Sequence, residues 1–115
     1  MTDREMLELA AKAGGYARHE YVENSARDGR VVTGHYDSLL EVCINPLDDD
    51  GDALRLAVKL HMSVLSNETA SWVATGMRQI VRAEEHHDDS DPYAATRRAI
   101  TRAAAEIWRQ MEETK

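Results

Sequence analysis

The stretch NPLDDDGDALRLAVKL, residues 45–60, decides the fold because an aspartate-rich turn changes directly into an apolar run. Asn45-Pro46 ends the segment before it, since proline holds the preceding residue extended and donates no hydrogen bond to a sheet. In the run at 53–60 only Arg55 and Lys59 are polar. The pattern predicts a helix so apolar that other parts of the protein cover most of its sides.

Four carboxylates surround Gly51 in this turn: Asp48, Asp49, Asp50 and Asp52. A calcium loop of the EF-hand type has an oxygen ligand at position 1, glycine at position 6 and glutamate at position 12. With Gly51 at position 6, positions 1 and 12 are Pro46 and Ala57. Neither side chain can supply the required oxygen ligand, so an EF-hand loop is excluded. Negative charge is favourable at the start of a helix, so we predict that one aspartate caps the helix.

Upstream, Thr2 and Glu5 form a capping box, and Gly14-Gly15 ends a first helix by taking the left-handed conformation after its last turn. Strands are predicted at 16–23 and, after a hairpin at Asp28-Gly29, at 38–44. Because the last of these has apolar residues on both faces, it is expected to be central or well covered.

Downstream, residues 61–83 read as short strands in HMSVLS, TASWVAT and RQIVRA, with a helix over 77–86 as the competing interpretation. Asp91-Pro92 predicts the cap and first residue of a final helix. The predicted fold is one α+β domain spanning residues 1–115, with helices packed on an antiparallel sheet in the order α-β-β-(β)-α-β-β-(β)-α.

The 14 basic and 21 acidic residues give a net charge of −7. This balance argues against direct nucleic-acid binding and permits docking on a basic protein surface. Cys43 is the only cysteine, which fits a reducing compartment. No apolar run approaches the ~18–20 residues that span a bilayer, and the N-terminus lacks the apolar core of a signal peptide. We expect a cytoplasmic protein that does not contact membranes.

Catalytic patterns are weak in this sequence. Cys43 could pair with a histidine as a nucleophile, but its position among apolar strand residues favours an inert thiol. The segment 86–91 holds two histidines and three aspartates, yet neighbouring residues in an extended loop tend to point apart. We therefore expect no enzyme activity, no cofactor and no metal site.

Two surfaces are candidates for binding. The first is acidic and consists of Asp48, Asp49, Asp50, Asp52, Glu84, Glu85, Asp88 and Asp89. The second would bind a nucleotide through aromatic and arginine side chains, namely Tyr16, Arg18, Tyr36, Arg97 and Arg98.

NPLDDDGDALRLAVKL together with DPYAATRRAITRAAAEI, residues 91–107, closely resembles a family of small, mostly uncharacterised proteins of tailed phages and prophages in Gram-negative bacteria. In that family an Asn-Pro-Leu turn leads into an Ala/Leu helix, a variable β region follows, and an Asp-Pro helix lies near the C-terminus. The resemblance covers 3–13, 45–60 and 91–107. It implies a phage gene acting in the cytoplasm of a bacterial host, and it supplies no catalytic residue.

These observations lead to three functional expectations. The first is a phage-encoded, non-enzymatic protein that inhibits a host defence, as anti-CRISPR proteins do, by docking its acidic surface on a basic host protein or ribonucleoprotein. The second is a sponge for a nucleotide signal, and the third is a structural phage protein with no inhibitory role. The apolar second helix and the long last helix also lead us to expect a homodimer.

Overall fold

The computed structural model describes residues 1–16, 20–27, 29–37, 42–75, 81–87 and 91–113. Over these ranges, helices and strands follow one another in the order α-β-β-β-α-β-β-β-α. This confirms the predicted α+β class and the predicted order, including the third strand of each group. The elements are α1 (Asp3–Ala13), β1 (Glu20–Arg27), β2 (Arg30–Asp37), β3 (Val42–Ile44), α2 (Asp50–Lys59), β4 (Met62–Ser66), β5 (Ala70–Thr75), β6 (Arg82–His86) and α3 (Pro92–Glu113).

Helix α1 has the local signals that its sequence predicted at both ends. The Thr2 hydroxyl accepts a hydrogen bond of 3.1 Å from the Glu5 backbone N–H. At the other end Gly15 has a φ of +83°, while Gly14 keeps a right-handed φ of −80°. The Tyr16 N–H then bonds the Ala11 carbonyl at 2.7 Å, which is the Schellman arrangement. The strand predicted from residue 16 is therefore wrong at its start, because Tyr16 completes the helix cap.

The first three strands form one antiparallel sheet in the order β1-β2-β3. Arg27 pairs with Arg30, so a two-residue connection joins β1 to β2 and confirms the predicted hairpin. Gly29 has a φ of +74° in this turn, and Asp28 lies outside the described residues. A bulge between Val22 and Ser25 shifts the register of β1.

The centre of this sheet is β2 and not the strand before Asn45, so the expectation of a central strand over 38–44 is wrong for its described part, Val42–Ile44. Val42 is exposed and Ile44 is half-buried, while residues 38–41 lie outside the described ranges. The close approach of β3 to β2 depends on Gly34, whose φ is +141°. A Cβ atom at Gly34 would lie 2.6 Å from the Ile44 carbonyl oxygen.

The second sheet has the strand order β4-β5-β6 and is also antiparallel. Side chains alternate along β5 as they do in a half-buried strand, since Val73 and Thr75 are buried while Trp72 is exposed. The strand at 82–86 shows that the competing helix over 77–86 is wrong for that part, and residues 76–80 lie outside the described residues.

Helix α3 lies at the centre of the fold, in contact with α1, α2 and all three strands of the second sheet. Ala99, Ala103 and Ala104 are fully buried along it, and small side chains let neighbouring elements approach closely. Ile100 and Ile107 extend this buried side of the helix. Tyr93 and Met111, near its two ends, are exposed.

We expect Gly34→Ala to lower the free energy of unfolding by about 2–4 kcal/mol, because the new methyl group meets a backbone oxygen and the φ value disfavours side chains. Gly29→Ala is the matched control. It also has a positive φ, but a Cβ there meets no atom within 4 Å, so a loss of about 1 kcal/mol is expected. Urea denaturation measures both, and equal losses would contradict the close approach of β3 to β2.

Candidate binding surface

The turn at 45–49 is organised by Asn45. Its side-chain oxygen accepts from the Leu47 N–H at 3.1 Å, and its carbonyl accepts from the N–H groups of Asp48 and Asp49. Its amide nitrogen donates to the Thr33 carbonyl at 2.9 Å, which ties the turn to β2. These bonds fix the backbone that carries the aspartates.

The predicted capping role is confirmed for this aspartate cluster. Asp49 is the N-cap of α2, and its carboxylate accepts from the Asp52 N–H at 2.8 Å. Asp52 turns inward and is only 9% exposed. One of its oxygens accepts from the Asn45 N–H at 2.9 Å, and the other accepts from Arg55 at 2.6 Å. Asp52 is therefore structural, and it cannot contact a partner directly.

The other three aspartates of the cluster point outward. The side chains of Asp49 and Asp50 are 59% and 69% exposed, and Asp48 is exposed beside them. Asp50 forms an ion pair of 2.6 Å with Arg97, which also donates to the Leu47 carbonyl at 2.8 Å. Four carboxylates (Asp48, Asp49, Asp50, Asp52) against two guanidinium groups (Arg55, Arg97) leave a local charge of 2 − 4 = −2.

The second acidic segment, which contains Glu84 and Glu85, exposes less negative charge to a partner. Glu85 is mostly buried and pairs with Arg102 and Arg98 of α3, while Glu84 is exposed beside His86. Asp88 and Asp89 lie outside the described residues. Arginines of α3 thus pair with Asp50 of the first acidic segment and with Glu85 of the second.

The alternative ligand residues contact the protein itself. Tyr16 lies under the Lys59 ammonium group, and Tyr36 lies under the Arg27 guanidinium group. Arg98 donates to Asp3 at 2.8 Å, and Arg97 makes the bonds to Asp50 and Leu47. Arg18 lies outside the described residues. A nucleotide would have to compete with these contacts at every described member of the set.

Sequence reasoning missed an apolar groove between α2, β4 and the start of α3, with a volume of about 550 Å³. The expectation that α2 is covered on most sides is wrong, because Leu54 and Val58 are 62% and 66% exposed. Tyr93 borders the same groove and is 69% exposed. The signal was present in the sequence: α2 has apolar residues on more faces than α3 and one strand can cover.

A second missed feature is a hydrogen-bonded cluster around the fully buried Ser71. Its hydroxyl oxygen lies 2.9 Å from His87 Nε2, 2.7 Å from Thr96 Oγ1 and 3.1 Å from Ser66 Oγ. His87 follows β6 and Thr96 lies on α3, so they are 16 and 25 residues away from Ser71 in the sequence. No local sequence motif therefore indicates the cluster.

The positions of the protons in this cluster decide its chemistry. A hydroxyl has one proton to donate. Thr96 donates its proton to the Pro92 carbonyl at 2.7 Å, and Ser71 donates its proton to Ser66 Oγ at 3.1 Å. This arrangement differs from a catalytic serine–histidine pair, in which the serine proton goes to the histidine.

Among the described residues, no group of three or more histidine, cysteine, aspartate or glutamate side chains is placed to hold a metal ion. His87 bonds Ser71, His86 pairs with Glu84, and the Asp91 carboxylate accepts from the Ala94 N–H at 3.0 Å as the N-cap of α3. This last bond confirms the predicted Asp91-Pro92 helix start.

Comparison with protein-family models, curated proteins and solved structures finds no match to the chain. The resemblance to a tailed-phage family therefore stays a prediction. Within the described part of the chain, no helix combines the length and apolar character that crossing a membrane requires.

We expect Asp52→Asn to lower the free energy of unfolding by about 1.5–3 kcal/mol, because the amide cannot accept from both the Asn45 N–H and Arg55 as the carboxylate does. Asp48→Asn is the control, since an asparagine oxygen there can still accept from Asn45 Nδ2. Chemical denaturation should show a change of less than about 1 kcal/mol for the control. Equal losses in both variants would contradict the structural role of Asp52.

Cys43 is half-buried, and burial raises the pKa of its thiol, with a smaller contribution from the negative charge of Asp52. A raised pKa lowers the fraction of reactive thiolate at neutral pH. We therefore expect iodoacetamide to modify the folded protein more slowly than the urea-unfolded chain. The midpoint of the rate-versus-pH curve should lie at higher pH for the folded form, and a lower midpoint would contradict this environment.

Proposed function

We propose that this protein is a non-enzymatic binding protein that docks its acidic turn, Asp48–Asp50, on a basic surface of a partner protein or ribonucleoprotein. The observation that carries the proposal is the exposed group of three aspartates on a turn held by Asn45 and Asp52. Its local charge stays at −2 after the ion pairs within the chain are counted.

The rigidity of the turn supports this function. A partner does not have to order these carboxylates, because the bonds of Asn45 and the cap of α2 already fix their backbone. Binding then loses less conformational entropy than it would with a mobile acidic loop. Complementary charge also speeds the encounter and excludes partners of like charge.

Basic protein surfaces commonly hold nucleic acid, and an acidic protein can compete for them through the same positive groups. In the setting that the phage resemblance implies, such competition would block a host defence complex from holding its nucleic acid. The proposal therefore places the protein in the cytoplasm of an infected Gram-negative bacterium as an anti-defence inhibitor. Asp88 and Asp89 belong to the proposed surface as predictions from the sequence.

The acidic turn can be tested with the variant Asp48→Asn/Asp49→Asn/Asp50→Asn, which keeps side-chain shape and retains a good N-cap. The immobilised protein is incubated with lysate of a defence-carrying host, and retained proteins are quantified by mass spectrometry at two salt concentrations. We expect retention of the specific partner to fall about tenfold or more in the variant. Expression of the native protein should raise the plating efficiency of a sensitive phage, and the variant should not.

The matched control removes the same charge from other exposed positions through Glu20→Gln/Glu23→Gln/Glu68→Gln. Circular dichroism melts establish that both triple variants are folded. If the aspartate variant retains its partner as well as the control does, the acidic turn is not the interface.

A further inference from the structure

We infer that a second copy of this chain covers the apolar face formed by Leu54, Val58, Val64 and Tyr93, here called the α2 face. Leu54, Val64 and Tyr93 line the groove, while Val58 projects from α2 one helical turn beyond Leu54. The groove walls are mainly alkyl and aromatic carbon. Exposed apolar surface of this kind marks an interface.

The α2 face has both a groove and a projecting side chain, so two copies of the face can pair with each other. A two-fold axis across α2, between Leu54 and Val58, makes the helices of the two copies antiparallel and sets Val58 of each copy against the Leu54 end of the other. In such an interface both copies use the same patch, so one groove and one projecting side chain provide two matching contacts. The groove and the projection lie one turn apart, as this arrangement requires.

Charge and dipole favour the same orientation. Helix α2 begins with the acidic residues Asp49 and Asp50 and ends with the exposed Lys59. Antiparallel packing brings the acidic side chains at the N-terminus of one α2 toward Lys59 at the C-terminus of the other. It also sets the two helix dipoles in opposite directions, which is favourable. A parallel arrangement would instead place the two acidic ends together and is disfavoured by repulsion.

Strand β4, which borders the groove, gives a second reason to expect that another chain covers this region. β4 is the edge strand of its sheet among the described residues, and Val64 and Leu65 are exposed on it. An apolar edge strand left open is a template for aggregation. A second copy seated beside β4 shields this edge.

The test is sedimentation of the full chain at ~1–200 µM, comparing the native protein with Leu54→Glu/Val58→Glu. Both positions are exposed helix surface in the single chain, so the substitutions preserve the core, and circular dichroism establishes folding. We expect the native protein to sediment at twice 12.9 kDa, and we expect the dimer dissociation constant of the variant to rise at least about 100-fold.

Val31→Glu is the matched control, because Val31 is 72% exposed on β2 near the hairpin turn, outside the α2 face. It should remain dimeric. A native protein that stays monomeric at every concentration overturns the inference and leaves the face to a different protein. A dimer that survives Leu54→Glu/Val58→Glu also overturns it. Since the readout is mass, it can fail independently of the acidic docking, whose readout is partner retention.

Discussion

The buried Asp52 carboxylate is the interaction on which the rest of the structure depends. It accepts from the Asn45 backbone at the end of β3 and from Arg55 one turn further along α2. Asn45 in turn holds β2 through the Thr33 carbonyl. One carboxylate and one amide therefore join the first sheet to the second helix. Because both groups are largely buried, a water molecule cannot replace either partner at low cost.

That junction also determines which surface remains for binding. It turns Asp52 inward and leaves Asp48, Asp49 and Asp50 outward, while Arg97 of α3 neutralises only part of their charge. The same placement of α2 against α3 leaves Leu54 and Val58 uncovered. The acidic turn and the apolar face consequently adjoin on one helix, and Asp50 of the turn borders the apolar groove.

The parts of the fold that were predictable are those governed by neighbouring residues. Thr2, Asp49 and Asp91 cap the three helices through bonds to N–H groups three residues later, and the two-residue hairpin joins β1 to β2. The predictions that failed have two different causes. The strand ending at Ile44 lies at a sheet edge, and its place in the sheet depends on which strands pair with it. Tyr16 was assigned to a strand although its N–H bonds the Ala11 carbonyl, five residues earlier, and completes a helix cap.

The candidate site also has one part that was predictable from the sequence and one part that was not. The sequence by itself determined the acidic turn, the helix that follows it and the α+β order, because charge, capping and hydrophobic periodicity are local properties of the chain. Only the tertiary structure decided that Asp52 is buried, that the α3 arginines meet both acidic segments, and that Leu54 and Val58 are exposed. The physical reason is that burial and ion pairing depend on which elements pack together, and a residue's own neighbours in sequence do not specify that packing.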